Sequence, residues 1–172
     1  MTTNLYTNLL LNPGAEDGYG SFSGNDLLAI PDWTTFGNFN VVDYGAAGFP
    51  DAPESVPIGG GNHFFAGGPN SASSNAYQDV SFADLATEID NGGIVATLSG
   101  YLGGYFEDND HMALSATWLD SFGDSLGSFT LPIIEASARG FTTGFQFVSS
   151  TAGRSGWRPD FDGRDPRHGI VR

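Results

Sequence analysis

The feature of this chain that most restricts its fold is the spacing of short strand patterns between turn signals. Clusters of Gly, Pro, Asn and Asp interrupt the chain every 8 to 15 residues, and apolar and polar residues alternate between many of them. Helical spacing is convincing only over residues 82–89, between a capping Ser81 and the stop signal of Asn91 and Gly92. We therefore predict antiparallel sheets rather than a parallel sheet with crossover helices.

About nine strands are predicted. Residues 121–125 predict the hairpin that follows the strand at 112–120, and residues 45–61, with three Pro and a triple Gly, predict a long loop. Among the aromatic residues we expect Trp118, Phe64, Phe65, Phe145 and Phe147 in the core. The strand patterns cover residues 9–11, 30–33, 39–44, 63–66, 74–81, 93–102, 112–120, 128–135 and 142–149.

Length and charge restrict the function. A chain of 172 residues suits one domain with a sizeable core. The formal charge of −14 gives an acidic surface that repels phosphate, so nucleic acid is not an expected partner. No run of 18 apolar residues occurs, so we expect no membrane insertion, and the absence of cysteine excludes disulfides and thiolate metal sites.

The acidic charge is concentrated in the first part of the chain. Residues 1–152 hold 17 of the 20 acidic residues and a single base, Arg139. Residues 153–172 hold five Arg and three Asp. We therefore divide the chain into a β-domain at 1–152 and an atypical Arg-rich tail at 153–172.

Six motifs of the chain occur together in one known family. The chain resembles the galactose-binding-like, carbohydrate-binding-module-like β-sandwich domains of bacterial extracellular proteins over about residues 8–150. The resemblance implies an antiparallel jelly roll of eight or nine strands, a structural Ca²⁺ and an extracellular or cell-surface role in sugar binding. The motifs are LLLNPGAE at 9–16, PDW at 31–33, GGGNHFFAGG at 59–68, YQDV at 77–80, SGYLGGY at 99–105 and NDHMA at 109–113.

The tail departs from this family. Family members close the sheet with an alternating strand, whereas residues 153–172 have lost the alternation at the point where the charge changes sign. The tail is therefore expected to replace or alter the closing strand. An exposed sheet edge would follow, and it predicts a homo-dimer or larger assembly.

The first candidate site is a calcium site at Glu16. Ca²⁺ binds six to eight oxygens, and a carboxylate directly after a Pro-Gly turn offers side-chain and backbone oxygens on one loop. In the similar domains this Glu joins an Asp from the closing strand. No Asp of the tail matches that position cleanly, and we take Asp162 as the candidate, with Asp160 and Asp165 as alternatives. A solvated acidic turn is the competing interpretation.

A weaker calcium candidate is the acidic stretch at 107–110. Asp108 and Asp110 point the same way on an extended loop, because they are two residues apart. The stretch lacks the following Gly and the distal Glu of an EF-hand loop, so a solvated loop tip is favoured.

Sugar contacts are predicted at aromatic residues in or beside loops. Ring faces pack on sugar C–H groups, and neighbouring Asn, Asp and Gln side chains bind hydroxyls. Most aromatic residues of such a domain belong to the core, so each assignment competes with burial. The candidates are Trp33, Tyr44, Tyr77, Gln78, Tyr101 and Tyr105. His63 is expected to be a structural, hydrogen-bonded histidine.

One catalytic motif is present. Residues 123–127, GDSLG, match a nucleophile elbow, and Asp165 and His168 match the D-x-x-H of an esterase family. An elbow needs a strand that turns sharply into a helix, whereas residues 128–131 continue as a strand. We therefore expect no enzyme activity.

These observations predict a non-catalytic, calcium-stabilised module that binds a glycan or a cell-surface polysaccharide. The alternative is a structural or adhesive protein of a surface layer or matrix that assembles with its own copies. Fold alone does not decide between them.

Overall fold

The computed structural model describes residues 6–90, 94–120, 122–153 and 170–171, and strands are its main regular element. The fold is all-β, as predicted, and every strand pairing is antiparallel. The strands are β1 Thr34–Phe36, β2 Asn40–Asp43, β3 His63–Ala66, β4 Asn75–Tyr77, β5 Val80–Ser81, β6 Val95–Gly104, β7 Ser115–Leu119, β8 Ser125–Thr130, β9 Gly144–Gly153 and β10 Ile170–Val171.

The described strands form four small sheets. Three of them are pairs, β1 with β4, β2 with β3, and the long strands β6 with β9. The fourth has the order β5-β10-β7-β8, in which β7 and β8 form a hairpin. The hairpin prediction at 121–125 is therefore confirmed.

The helix prediction at 82–89 is confirmed with shifted bounds. A 3₁₀ turn at Ala83–Leu85 continues into an α-helix at Ala86–Asp90, which we call α2. A shorter helix, α1 at Ala52–Ser55, continues into a 3₁₀ turn at Val56–Ile58 inside the predicted long loop. The sequence signal for this helix is Asp51 followed by Pro53 and Glu54. The Glu54 carboxylate accepts the Asp51 backbone N–H at 2.6 Å and so caps the start of the helix.

The predicted strand at 9–11 is wrong. Residues 9–11 lie in a bend, and the backbone N–H and C=O of Leu11 pair with the side-chain amide of Gln78 at 2.8 and 2.9 Å. These two bonds replace the ladder that a strand would need. The prediction that Phe147 belongs to the core is also wrong, because Phe147 is 60% exposed.

The turn after this bend is organised by Asn12, which is 6% exposed. Its side-chain oxygen accepts the Asp17 backbone N–H at 3.0 Å, and its amide donates to the carbonyls of Asp17 and Pro31. Its backbone carbonyl accepts Trp33 Nε1–H at 3.0 Å. Asn12 therefore ties the turn to the segment before β1.

The main apolar cluster lies beside this turn. Trp33 and Phe65 pack against it, with their rings 5.2 Å apart in an edge-on arrangement. The turn and β2 are therefore held by the same core. The buried members of the cluster are Ala15, Ile30, Phe39 and Val41.

The end of the chain contributes one short strand. Ile170–Val171 pairs with both β5 and β7, so strands β5 and β8 form the edges of this sheet. Residues 154–169 of the predicted tail lie outside the described residues. Among the helices that the structure describes, none has the length and apolar character to cross a membrane.

Candidate functional site

The opening turn brings Glu16 to the loop that precedes β3. Its Oε1 accepts the backbone N–H groups of Asn62 and His63, both at 2.9 Å, and its Oε2 accepts the Asn62 side-chain amide at 3.1 Å. A Cβ on Gly61 would overlap this carboxylate, so the close approach requires glycine. Glu16 therefore fixes the start of β3 from a position 46 residues away along the chain.

The side chains of Asp43 and His63 meet at the ends of β2 and β3. The two residues are direct cross-strand partners, which places their side chains on one face. His63 Nε2 lies 3.2 Å from Asp43 Oδ1, and His63 Nδ1 lies 3.8 Å from Glu16 Oε1. Asp43 Oδ1 is buried and has no hydrogen-bond partner, so its 3.2 Å contact with His63 Nε2 has the distance of an ion pair but not the alignment of a hydrogen bond. His63 Nδ1 is also buried without a hydrogen-bond partner.

The approach of Gly20 keeps this pair in place. A Cβ on Gly20 would overlap the Asp43 carboxylate and would lie 2.6 Å from His63 Cδ2. The neighbouring Ser21 is buried, and its backbone exchanges hydrogen bonds with Val41 and Asp43. The segment at 20–21 therefore packs directly on the two side chains.

These residues surround an open cavity of about 350 Å³. Phe22, one of the lining residues, is 75% exposed. The Asp43 side chain is 27% exposed, although its Oδ1 is buried and lies 3.2 Å from His63 Nε2. The wall thus combines an accessible ring with a partly exposed carboxylate. The lining residues are Phe22, Asp43, Tyr44, Ala52, Gly61, Asn62 and His63.

Tyr44 connects the cavity to an aromatic cluster. Its ring lies 4.9 Å from the ring of Phe64 and 6.2 Å from the ring of Phe145. Burial, and then the charges of Glu16 and Glu54, raise the pKa of the Tyr44 phenol above its usual value. The neutral phenol is therefore the form that the folded protein favours.

Three of the other predicted sugar-binding residues have structural contacts. Trp33 packs on the core and donates its N–H to Asn12, and Gln78 uses both ends of its amide on the Leu11 backbone. The Tyr77 ring stacks on Phe36, with centroids 6.0 Å apart. These side chains hold the turn and the pair β1–β4.

The remaining two lie at another sheet. Tyr101, on β6, is 42% exposed and faces the ring of Phe147 across the pair β6–β9 at 5.3 Å. Tyr105 follows β6, is 45% exposed and contacts Phe106. Of the six predicted residues, Tyr44 lines the cavity at Asp43.

The surroundings of Glu16 fit N–H donors better than a cation. All three hydrogen-bond partners of its carboxylate are donors. Across the described ranges, no three His, Cys, Asp or Glu side chains gather into a group that could hold a metal. Asp160, Asp162 and Asp165 lie outside those ranges, and Asp108 and Asp110 are exposed. Calcium binding therefore stays a prediction.

The GDSLG motif lies in a β-hairpin. Asp120 Oδ1 accepts the backbone N–H groups of Phe122 and Asp124 at 2.8 and 2.9 Å, and Ser125 begins β8. The chain therefore passes from strand to strand, whereas a nucleophile elbow passes from strand to helix. His168 lies outside the described residues.

Sequence reasoning missed Phe22, Asp43 and Asn62 as members of one site. The sequence held a signal for part of this site. Asp43 lies near the end of the predicted strand 39–44 and His63 begins the predicted strand 63–66, so antiparallel pairing of the two strands would bring these polar residues together. Phe22 had no such signal, because its segment forms only an isolated bridge at Ser21.

Comparison with known proteins assigns no family to this site. No family model, no curated protein and no solved structure matches the chain.

Proposed function

We propose that this protein is a non-catalytic binding domain that holds a glycan or a cell-surface polysaccharide in the cavity at Asp43 and His63. The supporting observation is that the exposed Phe22 lines the same cavity as the partly exposed Asp43 carboxylate. A sugar offers both matching surfaces, because its C–H face packs on an aromatic ring and its hydroxyls donate to carboxylates.

The position of His63 argues for binding rather than catalysis. Each of its ring nitrogens faces a carboxylate, Asp43 on one side and Glu16 on the other, and Nδ1 is buried. A general base needs a nitrogen within reach of the proton that it removes. His63 instead positions Asp43 at the cavity wall.

The proposal includes the finer features that the family resemblance implies. These are a jelly-roll arrangement of the sheets, an extracellular or cell-surface location and a structural Ca²⁺ near Glu16. None of them is needed for the sugar contact itself.

A glycan array followed by titration of the best glycan tests this function. We expect binding to one sugar class, and we expect Phe22→Ala to weaken it by about tenfold, or roughly 1.4 kcal/mol. Phe122→Ala is the matched control, because Phe122 is 74% exposed at the β7–β8 hairpin and does not line the cavity. Equal affinities of the two variants would reject the cavity as the site.

The second candidate is a self-assembling surface or matrix protein. It is favoured by the apolar side chains that the pair β6–β9 exposes, including Val95 at 61% and Phe147 at 60%. The same array distinguishes the two functions. Silence on the array, together with concentration-dependent sedimentation, would favour assembly.

A further inference from the structure

Arg139 is a buried cation without a counter-charge in the described structure. It lies in the hydrogen-bonded turns at 136–141 before β9, and it is 7% exposed. Its Nη1 donates to the Thr142 carbonyl at 2.5 Å and its Nη2 donates to the Asp108 carbonyl at 3.1 Å. Nε is buried with no hydrogen-bond partner, and no carboxylate of the described residues lies within ion-pair distance.

This arrangement is unusual because burying a charge is unfavourable unless an opposite charge compensates it. Arginine is rarely this buried without a carboxylate, and this chain has acidic residues in large excess. The backbone also confines the guanidinium, since a Cβ on Gly104 would lie only 2.8 Å from Nη2. The charge is therefore held at a fixed place.

Arg139 lines a second open cavity, of about 320 Å³. This volume is near the lower end of the range for small-molecule sites, roughly 300–1,000 Å³. The walls are apolar at Pro57, Ile58 and Phe145 and polar at Thr142, Thr143 and Gln146, and Glu54 adds one carboxylate.

The polar groups of this cavity define the ligand. The guanidinium matches a planar carboxylate. The Thr143 hydroxyl accepts the Phe106 backbone N–H at 3.2 Å and keeps its own proton for donation, and Gln146 donates to the Ala138 carbonyl and keeps its amide oxygen as an acceptor. The Glu54 carboxylate repels a ligand that carries a second negative charge, and it can accept hydrogen bonds from the hydroxyls of the ligand.

We propose that the Arg139 cavity binds a hydroxylated monocarboxylate of the size of one uronic acid, with its carboxylate on the guanidinium. The hydroxyls bind Glu54 and Gln146, and the ring packs on the apolar wall. This inference does not rest on the glycan cavity at Asp43, and each site can fail without the other. Ordinary salt screens the repulsion between the ligand and acidic residues that lie more than about 8 Å from it.

The test is calorimetric titration of the full chain with sodium glucuronate, with glucose as the uncharged control, in about 0.15 M NaCl. We expect glucuronate to bind at least tenfold more tightly than glucose and to raise the melting temperature. Arg139→Gln is expected to remove this preference. Equal binding of the two sugars, or an Arg139→Gln variant that keeps the preference, would overturn the proposal.

Arg139→Gln could fail to fold, because it loses two hydrogen bonds to carbonyls. Glu54→Gln provides the second test, since glutamine can still accept the Asp51 backbone N–H that caps α1. The hydroxyls of both sugars lose the same charged acceptor, whereas only glucuronate is relieved of charge repulsion, so the preference for glucuronate over glucose is expected to rise by about threefold. An unchanged or smaller preference in this folded variant would reject the carboxylate geometry.

Discussion

Replacement of Glu16 by Ala tests the contact that builds the candidate glycan site. It removes three hydrogen bonds to one charged acceptor and leaves two backbone N–H groups of the loop before β3 without their partner. A hydrogen bond to a charged group contributes about 1.5–3 kcal/mol. The Glu16 side chain is 38% exposed, so water replaces part of this, and the three bonds act as one unit. We expect the free energy of unfolding to fall by about 2–3 kcal/mol.

This loss is measurable by calorimetry. In a chain of this length 1 kcal/mol corresponds to about 2–4 °C, so the melting temperature of Glu16→Ala should fall by about 4–12 °C. The melting temperature of Glu16→Gln should fall about half as far. Its amide oxygen can keep the two hydrogen bonds from backbone N–H groups, while its NH₂ group faces the Asn62 side-chain amide. Asp17→Ala is the control, since it removes the same charge from an exposed neighbour. A loss no greater than that of Asp17→Ala would refute the structural role of Glu16.

Three further predictions concern the same region. Folding raises the pKa of the Tyr44 phenol, so its contribution to stability is complete below the unfolded pKa of about 10 and is lost as the pH rises through the folded pKa. The melting temperature of Tyr44→Phe should therefore fall less than that of the wild type above about pH 10. Parallel pH profiles of the two proteins would contradict this. Asn12→Ala should lower the free energy of unfolding by about 2–4 kcal/mol, measured by urea denaturation, because it leaves the Asp17 N–H and two carbonyls without their bonds; a loss below about 1 kcal/mol would show that water replaces the side chain. EDTA should lower the melting temperature and Ca²⁺ should restore it, and no shift with either would remove calcium from the account.

Alternation and turn signals were sufficient to predict the fold class. They found the strands β2, β3, β6 and β9, the β7–β8 hairpin and the helical stretch after Ser81, because each depends on local patterning. Three leucines in a row predicted a strand at 9–11, where a distant amide provides the hydrogen bonds instead. No local pattern encodes a contact with Gln78, 67 residues away.

The candidate site was predictable only in part, for the same reason. The position of Glu16 after a Pro-Gly turn marked it as a candidate calcium ligand, but its hydrogen bonds to Asn62 and His63 follow from the tertiary fold. The burial of Arg139 has no signal in the sequence, since charged residues are expected at the surface. Side chains that act through distant contacts are those that sequence reasoning assigns least well.

The most direct test of the central claim is a two-dimensional amide NMR titration with the glycan that binds best on the array. The proposed function predicts that the largest chemical-shift changes fall at Phe22, Asn62 and His63, and that Phe22→Ala needs about ten times more glycan to reach them whereas Phe122→Ala does not. Changes centred instead on Tyr101 and the exposed face of β6–β9, or no changes at saturating glycan, would contradict binding at the Asp43 cavity.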